Sequence, residues 1–233
     1  MDAARRAKTV LATATSVEVG CAGRRVRLWR HAVEQTGGLL FPFARLAPEC
    51  ADRVVPGAKG PLVHAVASDV TSVPLADRVR GTVRLSGVLE TVTDPSEDLV
   101  ERLGARPGEL VARVVPRSVT LEWHVESGAG AGGPVPVEPH RLAGALVDPL
   151  GGWQDEWMAH LDACHGESLR CLAGSVTSLD AAARVRPVLA DETGIVLREE
   201  LPGCHRDIRV AFAGPARCGC EASERLEGLM RSL

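Results

Sequence analysis

Hydrophobic positions change period along this chain, and the change divides it. Residues 2–13 place Val10 and Leu11 on one face, with Arg5, Arg6 and Lys8 around it, which is the spacing of a helix. From residue 16 the period drops to two. Val17 and Val19, then Val26 and Leu28, alternate with polar residues, and two glycine-bearing turns, GCAGRR and QTGG, divide the stretch into two strands and the start of a third. PLVHAVASDVTSV alternates again, with Val63, Ala65 and Ala67 on one side. DRVRGTVRLSGVLETVTD carries the clearest strand pattern. Its alternation slips by one near Gly81 and again near Gly87, as a bulge or tight bend would make it do.

DPSEDLVERLGARPG reads as a short helix, with Asp94 as N-cap, Pro95 in the first turn and Gly104 as its end. ELVARVVPRSVTLEWHVE returns to strand. Pro116 interrupts it, so the strand is expected to lie at an edge or to bend there. SGAGAGGPVPVEP offers no apolar face and reads as a linker. After it the pattern is helical from about Gly152 to Ala173, with Trp153, Trp157, Leu161, Cys164, Ser168 and Leu172 at helical spacing. Three short strands follow, separated by ADETG and LPGCH. EASERLEGLMRSL closes the chain as a helix with Leu226, Leu229, Met230 and Leu233 on one stripe. The expected fold class is α+β, with a β-rich unit over residues 1–126, a Gly/Pro-rich linker over 127–150, and a small helix–three-strand–helix unit over 151–233.

Composition narrows the function. Hydrophobic residues make up 45% of the 233 positions, enough for a sizeable core. The net charge of −3 and the absence of tyrosine leave neither a broad cationic surface nor a stacking platform, so no nucleic-acid partner is expected. No apolar run reaches the roughly 18 residues of a membrane span. With seven cysteines and no secretory pattern at its start, the chain reads as a cytoplasmic protein with reduced thiols.

Candidate chemistry gathers in three places. WMAHLDACHGESL sets Trp157, His160, Cys164 and His165 close together, and imidazole and thiolate are both good donors to a metal or haem. The same spacing also suits simple packing of a helix on a sheet. Cys204, His205, Cys218 and Cys220 have the ligand types of a closed zinc site, without the paired C-x-x-C spacing; free thiols are the plainer reading. Arg25 and Arg27 point the same way if their segment is a strand, so they could grip a carboxylate or phosphate, or merely protect an edge. There is no G-x-S-x-G elbow, Walker A loop or H-E-x-x-H motif, and GAGAGG precedes prolines that cannot open a helix.

On these residues a resemblance can be stated. The first part, chiefly VHAVASDVTSVPLADRVRGTVRLSGVLETV, resembles the split β-barrel of the pyridoxamine-phosphate-oxidase-like, FMN-binding superfamily. HLDACHGESL is similar to the His-(Leu/Met)-Asn-x-Asp-His-x start of the small α/β domain that follows such barrels in HugZ-type haem oxygenases. The same domain occurs in glutamyl-tRNA-reductase-binding proteins and in actinobacterial proteins of unknown function. His160, Leu161 and His165 match that pattern; Asp162 replaces Asn and Cys164 replaces Asp. ARVRPVLADETGIVLREE and DIRVAFAGP resemble its strands.

The resemblance implies a homodimer and a haem-utilisation role: binding a tetrapyrrole or a protein partner between barrel and α/β domain, with weak or no catalysis. The alternatives are HugZ-type haem degradation and a purely interacting or regulatory module. It makes His160, His165 and His205 the haem-ligand candidates, with Trp157 enclosing the ring. Tightly bound FMN is not expected, because APECADRVVPGAKG lacks the family's phosphate-binding cluster and offers only Arg53 and Lys59. The tail after His205 has no histidine to take the place of the ligand found in HugZ-type enzymes.

Overall fold

The computed structural model describes residues 2–46, 48–51, 53–54, 60–106, 108–126 and 133–233. Helix α1 (Ala3–Thr13) starts where the Asp2 side chain accepts the Arg5 backbone N–H at 2.9 Å. Strands β1 (Val17–Cys21) and β2 (Arg24–Leu28) form a hairpin through Ala22 and Gly23, both at positive φ. Then come β3 (Ala32–Val33), β4 (Leu39–Pro42), α2 (Pro48–Ala51), β5 (Leu62–Val70), β6 (Val79–Val92), α3 (Glu97–Leu103), β7 (Val111–Trp123), β8 (Val135–Val137) and α4 (Pro139–Gly144). The strands make one curled sheet in the order β2-β1-β5-β6-β7-β4-β3, with β8 beside β7. α1 lies against β5, β6, β7 and β8, so Ala7, Val10 and Leu11 fill the concave side among Val17, Val63, Ala65, Leu85 and Leu121.

Both expected irregularities in β6 are present. The register shifts between Asp69 and Val70, opposite Gly81, and again between Ser86 and Gly87. A Cβ at Gly87 would stand 2.2 Å from the Val115 carbonyl oxygen, so only glycine lets the two strands approach there. Of the two expectations for Pro116 the irregular strand holds and the sheet edge does not: the pairing with β6 skips Arg117 between Pro116 and Ser118. β7 is paired with β6 along its length, while its other side holds β4 at residues 111–114 and β8 at 119–121. Pro116 falls in the gap between those two partners, where no neighbour asks for the N–H it lacks. α3 begins two residues later than expected, because Ser96 rather than Asp94 supplies the cap; Gly104, at φ 60°, ends it as expected.

Residues 127–132 of the expected linker lie outside the described residues. The rest of that stretch is largely structured: β8 extends the barrel sheet and α4 buries Leu142 against α1. The expected single helix over 152–173 is two, α5 (Gln154–Cys164) and α6 (Gly166–Val176), broken at His165. Next come β9 (Arg184–Asp191), β10 (Gly194–Leu201), β11 (Cys204–Ala211) and α7 (Gly219–Arg231). The strands form an antiparallel sheet ordered β11-β10-β9. The architecture is mixed helix and strand with a curled half-barrel, as the α+β expectation required. Among the described residues no helix is long and apolar enough to cross a membrane.

The two halves share a core. Val73, Leu75 and Val125 of the first half sit in one apolar cluster with Trp157, Leu161, Leu169, Leu189, Ile195 and Ile208 of the second. Arginines seal the seam. Arg80, 2% exposed, donates from Nε to Asp69 Oδ2 at 2.9 Å, from Nη2 to Asp155 Oδ1 at 2.9 Å, and from Nη1 to the Val188 carbonyl at 3.3 Å. Arg186 joins Asp162 of α5 to the Pro74 carbonyl. Arg198 joins Asp207 at 2.7 Å to the Asp77 carbonyl at 3.1 Å. Arg209 bridges Glu126 and Asp191, and Arg5 reaches Glu192.

Burial alone would lower the Arg80 pKa, but Asp69 and Asp155 outweigh it and raise it. Removing one partner of such a buried set strands the others. Arg80→Ala is therefore expected to cost about 3–5 kcal/mol of unfolding free energy, measured by urea denaturation.

Asp191 gives the seam a pH dependence. Burial pushes its carboxyl up, but hydrogen bonds from Arg209 and Thr193 outweigh that and hold it below the ordinary carboxylate value. Its contribution to stability is thus complete above the unfolded pKa of about 3.9 and is lost as pH falls through the lower folded value. Asp148, pushed up by burial, works in the opposite sense and offsets part of this. The urea midpoint of the parent chain should drop more steeply below about pH 4 than that of Asp191→Asn.

Candidate functional site

Alternation in the sheet decides what faces outward. Residues buried against α1 leave Glu18 and Gly20 of β1, Arg25 and Arg27 of β2, and Leu62, His64, Val66, Ser68 and Val70 of β5 on the opposite, convex face. The register lines these up in rows. His64 stands beside Gly20 and Ser86, and Val66 stands between Glu18 and Arg84. Together they line an open groove of about 810 Å³. Its wall carries four guanidinium groups (Arg24, Arg25, Arg27 and Arg84), one imidazole (His64) and an apolar strip of Leu62, Val66 and Val70. Leu62 is 53% and Val70 43% exposed, an unusual amount of bare aliphatic surface on a sheet face. Arg25 donates to Glu18 at 3.1 Å, and the Arg27 guanidinium lies 5.9 Å from the ring centre of Trp29. Arg25 and Arg27 are neighbours on one face, as expected of a strand; His64 was not expected here, because the pattern of its segment is dominated by the apolar side, Val63, Ala65 and Ala67. Strict alternation would have found it.

On the core side of the sheet, the end of β1 is held covalently. Cys21 is disulfide-bonded to Cys50, tying the end of β1 to α2. This corrects the expectation of reduced thiols for that pair: two positions 29 apart in sequence are brought together by the curl of the sheet, and no spacing motif announces it. Cys164, Cys171, Cys204, Cys218 and Cys220 are free and exposed.

The remaining candidates divide. His160 and His165 do meet, Nε2 to Nε2 at 3.3 Å, but on the surface, with His160 exposed. Trp157 points the other way. It is buried and stacks on Trp153 with ring centres 4.7 Å apart, so it serves the core and does not enclose a ligand beside His160. His205 is exposed at the start of β11.

The proposed zinc quartet does not assemble. Cys204 follows the β10–β11 turn, while Ala216 donates to the Glu192 carbonyl at the β9–β10 turn and so puts Cys218 and Cys220 at the other end of the sheet. The length of an eight-residue strand, roughly 23 Å, separates them. Cys218 instead caps α7, its sulfur accepting the Glu221 N–H at 3.5 Å. Among the described residues no three His, Cys, Asp or Glu side chains converge on a metal-sized site. Of the two residues named for a flavin phosphate, Arg53 is exposed and Lys59 lies outside the described residues.

Where a cleft was expected between barrel and α/β domain, the described residues pack closely. A void at the seam, lined by Arg6, Thr9, Trp123, Asp148, Gln154 and Asp191, measures about 10 Å³, room for a water and no more. Among the described residues, buried arginines and the shared apolar cluster pack around that void.

No protein-family model and no curated protein sequence matches the chain. Solved structures do match. The haem binding protein from Mycobacterium smegmatis aligns over 100% of this chain and 97% of its own, with a TM-score of 0.59 at 18% identity. The likeness is one of fold. The protein Atu2129 of unknown function from Agrobacterium tumefaciens aligns over 98% and 95% at 18% identity, TM-score 0.40. The FAD binding protein from Mycobacterium smegmatis aligns over 53% and 97% at 16% identity, TM-score 0.37.

The thiol assignment is checked by counting. Ellman titration of the native chain should find five reactive thiols, and seven only after reduction and denaturation. Reduction should lower stability by about 2–4 kcal/mol.

Proposed function

We propose that this chain binds a tetrapyrrole, ferric haem in the first instance, in the groove on the convex face of its barrel. We propose also that it performs little or no chemistry on that ligand. The observation that carries the reading is the make-up of the groove. Haem is a flat apolar disc with two carboxylates on one side and an iron that takes an imidazole nitrogen. The groove sets His64 among the aliphatic residues Leu62, Val66 and Val70 along β5, with Arg25 and Arg27 of β2 to one side and Arg84 of β6 to the other. Its volume of about 810 Å³ falls in the range of small-molecule and cofactor sites, roughly 300–1,000 Å³. The haem binding protein that shares the fold supports the choice of ligand class.

In this reading His64 Nε2 or Nδ1 donates to the iron, while Arg25 and Arg27, together on β2, receive the propionates through charge-assisted hydrogen bonds. Bound haem would supply redox and oxygen chemistry, and the chain's own part is to orient and retain it. FMN fits less well, because its phosphate finds no compact cradle: Arg25 and Arg27 share β2, while Arg84 stands on β6, with β1 and β5 between them. The exposed Leu62 and Val70 favour a second copy of the chain closing the open side, so the proposed state is a homodimer.

Titration with hemin tests the reading. The expected result is a saturable Soret band at one haem per chain, at least about tenfold weaker in His64→Ala and in the Arg25→Ala/Arg27→Ala double variant. His160→Ala, His165→Ala and His205→Ala should leave it unchanged. Loss in His205→Ala with retention in His64→Ala would return the ligand to the C-terminal unit. The absence of a saturable band would overturn tetrapyrrole binding in favour of a module that recognises a protein. A parallel FMN titration should show no saturable quenching. With ascorbate as donor the haem spectrum should persist, whereas its decay to an open-chain pigment would establish the oxygenase alternative. Light scattering should give twice the 24.6 kDa chain mass.

A further inference from the structure

We infer that His160 and His165 chelate a divalent transition-metal ion at the surface, zinc being the reference case. The site is independent of the groove and of any haem bound there. The ring centres are 5.1 Å apart while the two Nε2 atoms are 3.3 Å apart, so the nitrogens are the near ends of both rings. Two zinc–nitrogen bonds of about 2.0–2.1 Å at a tetrahedral angle span about 3.3 Å. The separation is therefore the bite of a chelate.

The same geometry argues against haem at this pair. Imidazoles this close occupy adjacent positions around a metal, whereas the two axial positions of haem lie on opposite faces of the ring, so at most one of these histidines could serve it.

The helix break builds the site. Between helices α5 and α6, His165 donates its N–H to the Leu161 carbonyl at 2.9 Å, and its own carbonyl accepts from Leu169 at 2.9 Å. The backbone is thus pinned on both sides, and the ring turns back over the last turn of α5, where His160 stands. Had the helix continued through residue 165, positions 160 and 165 would sit about 140° apart around it and could not touch. The neighbouring acid Asp162 is held by Arg186 at 2.8 Å and is not available as a third ligand. Among the described residues no third His, Cys, Asp or Glu completes the set. The ion would keep open positions, held by water or by a group from another molecule. The C-terminal carbonyls of α5 favour a cation, while the N-terminus of α6 opposes it, so the two helix ends largely offset. Affinity rests on the imidazoles.

The test is calorimetric titration of zinc into the full chain with Cys164, Cys171, Cys204, Cys218 and Cys220 changed to serine, because exposed thiols bind zinc themselves. The expected result is one zinc per chain with micromolar affinity, weakened at least tenfold by His160→Ala and by His165→Ala and unchanged by His205→Ala. Equal affinity in all three variants, or no saturable heat, would overturn the assignment. A second measurement does not depend on the alanine variants folding: in histidine-ring NMR spectra of the same serine-substituted chain, the His160 and His165 signals should shift together on zinc addition while His205 stays still. Movement of only one of the pair, or of His205, refutes chelation.

Discussion

Everything in this molecule hangs on a guanidinium with almost no water around it. Arg80 rises from the strand that forms the middle of the barrel sheet, takes both oxygens of Asp69 on the neighbouring strand, and reaches across to Asp155 and the Val188 carbonyl. A buried cation is tolerable only when every donor is met, and here the partners come from both halves. Arg186, Arg198 and Arg209 repeat the pattern along the same seam. Arg186 and Arg198 sit on strands that are otherwise mostly buried, so the pairing fixes register and orientation where greasy contact alone would allow sliding.

Closing the seam has two consequences. Among the described residues it packs the halves around a void of about 10 Å³. It also leaves the convex barrel face as the surface with both bare aliphatic side chains and a row of cations. The α/β unit then acts as a buttress: it packs against the far end of the barrel strands and leaves the groove open to solvent or to a second copy.

Much of the fold was legible in the sequence, for reasons that can be located. The slips at Gly81 and Gly87 showed as broken alternation, because a bulge moves side chains to the opposite face. Gly104 and the β9–β10 and β10–β11 turns showed because turn chemistry is local. What stayed hidden is non-local. Pro116 looks like an edge signal until β4 and β8 are seen to stop on either side of it. Residues 135–144 look like tether because three residues of strand and six of helix are too short to carry a period. The helix break at His165 has no proline to mark it, only Gly166. The site was less legible than the fold. Chemistry-bearing residues that are close in sequence, such as Cys218 and Cys220, drew attention, while His64 and Arg84, twenty positions apart, come together only through strand pairing. Cys21 and Cys50 are invisible to spacing for the same reason.

The placement of β8 has an architectural consequence. It returns after the glycine-rich stretch to cover Val119–Leu121 of β7, and α4 then sets Leu142 under α1. A barrel severed at Glu126 would present a naked ladder of amides and carbonyls along that stretch of β7, an invitation to edge-to-edge stacking. The two halves of the polypeptide are therefore braided: the barrel borrows its last strand from beyond the glycines, and the α/β layer borrows Val73, Leu75 and Val125 from before them. In a protein laced this way, evolution can swap neither half as a cassette without recutting the seam.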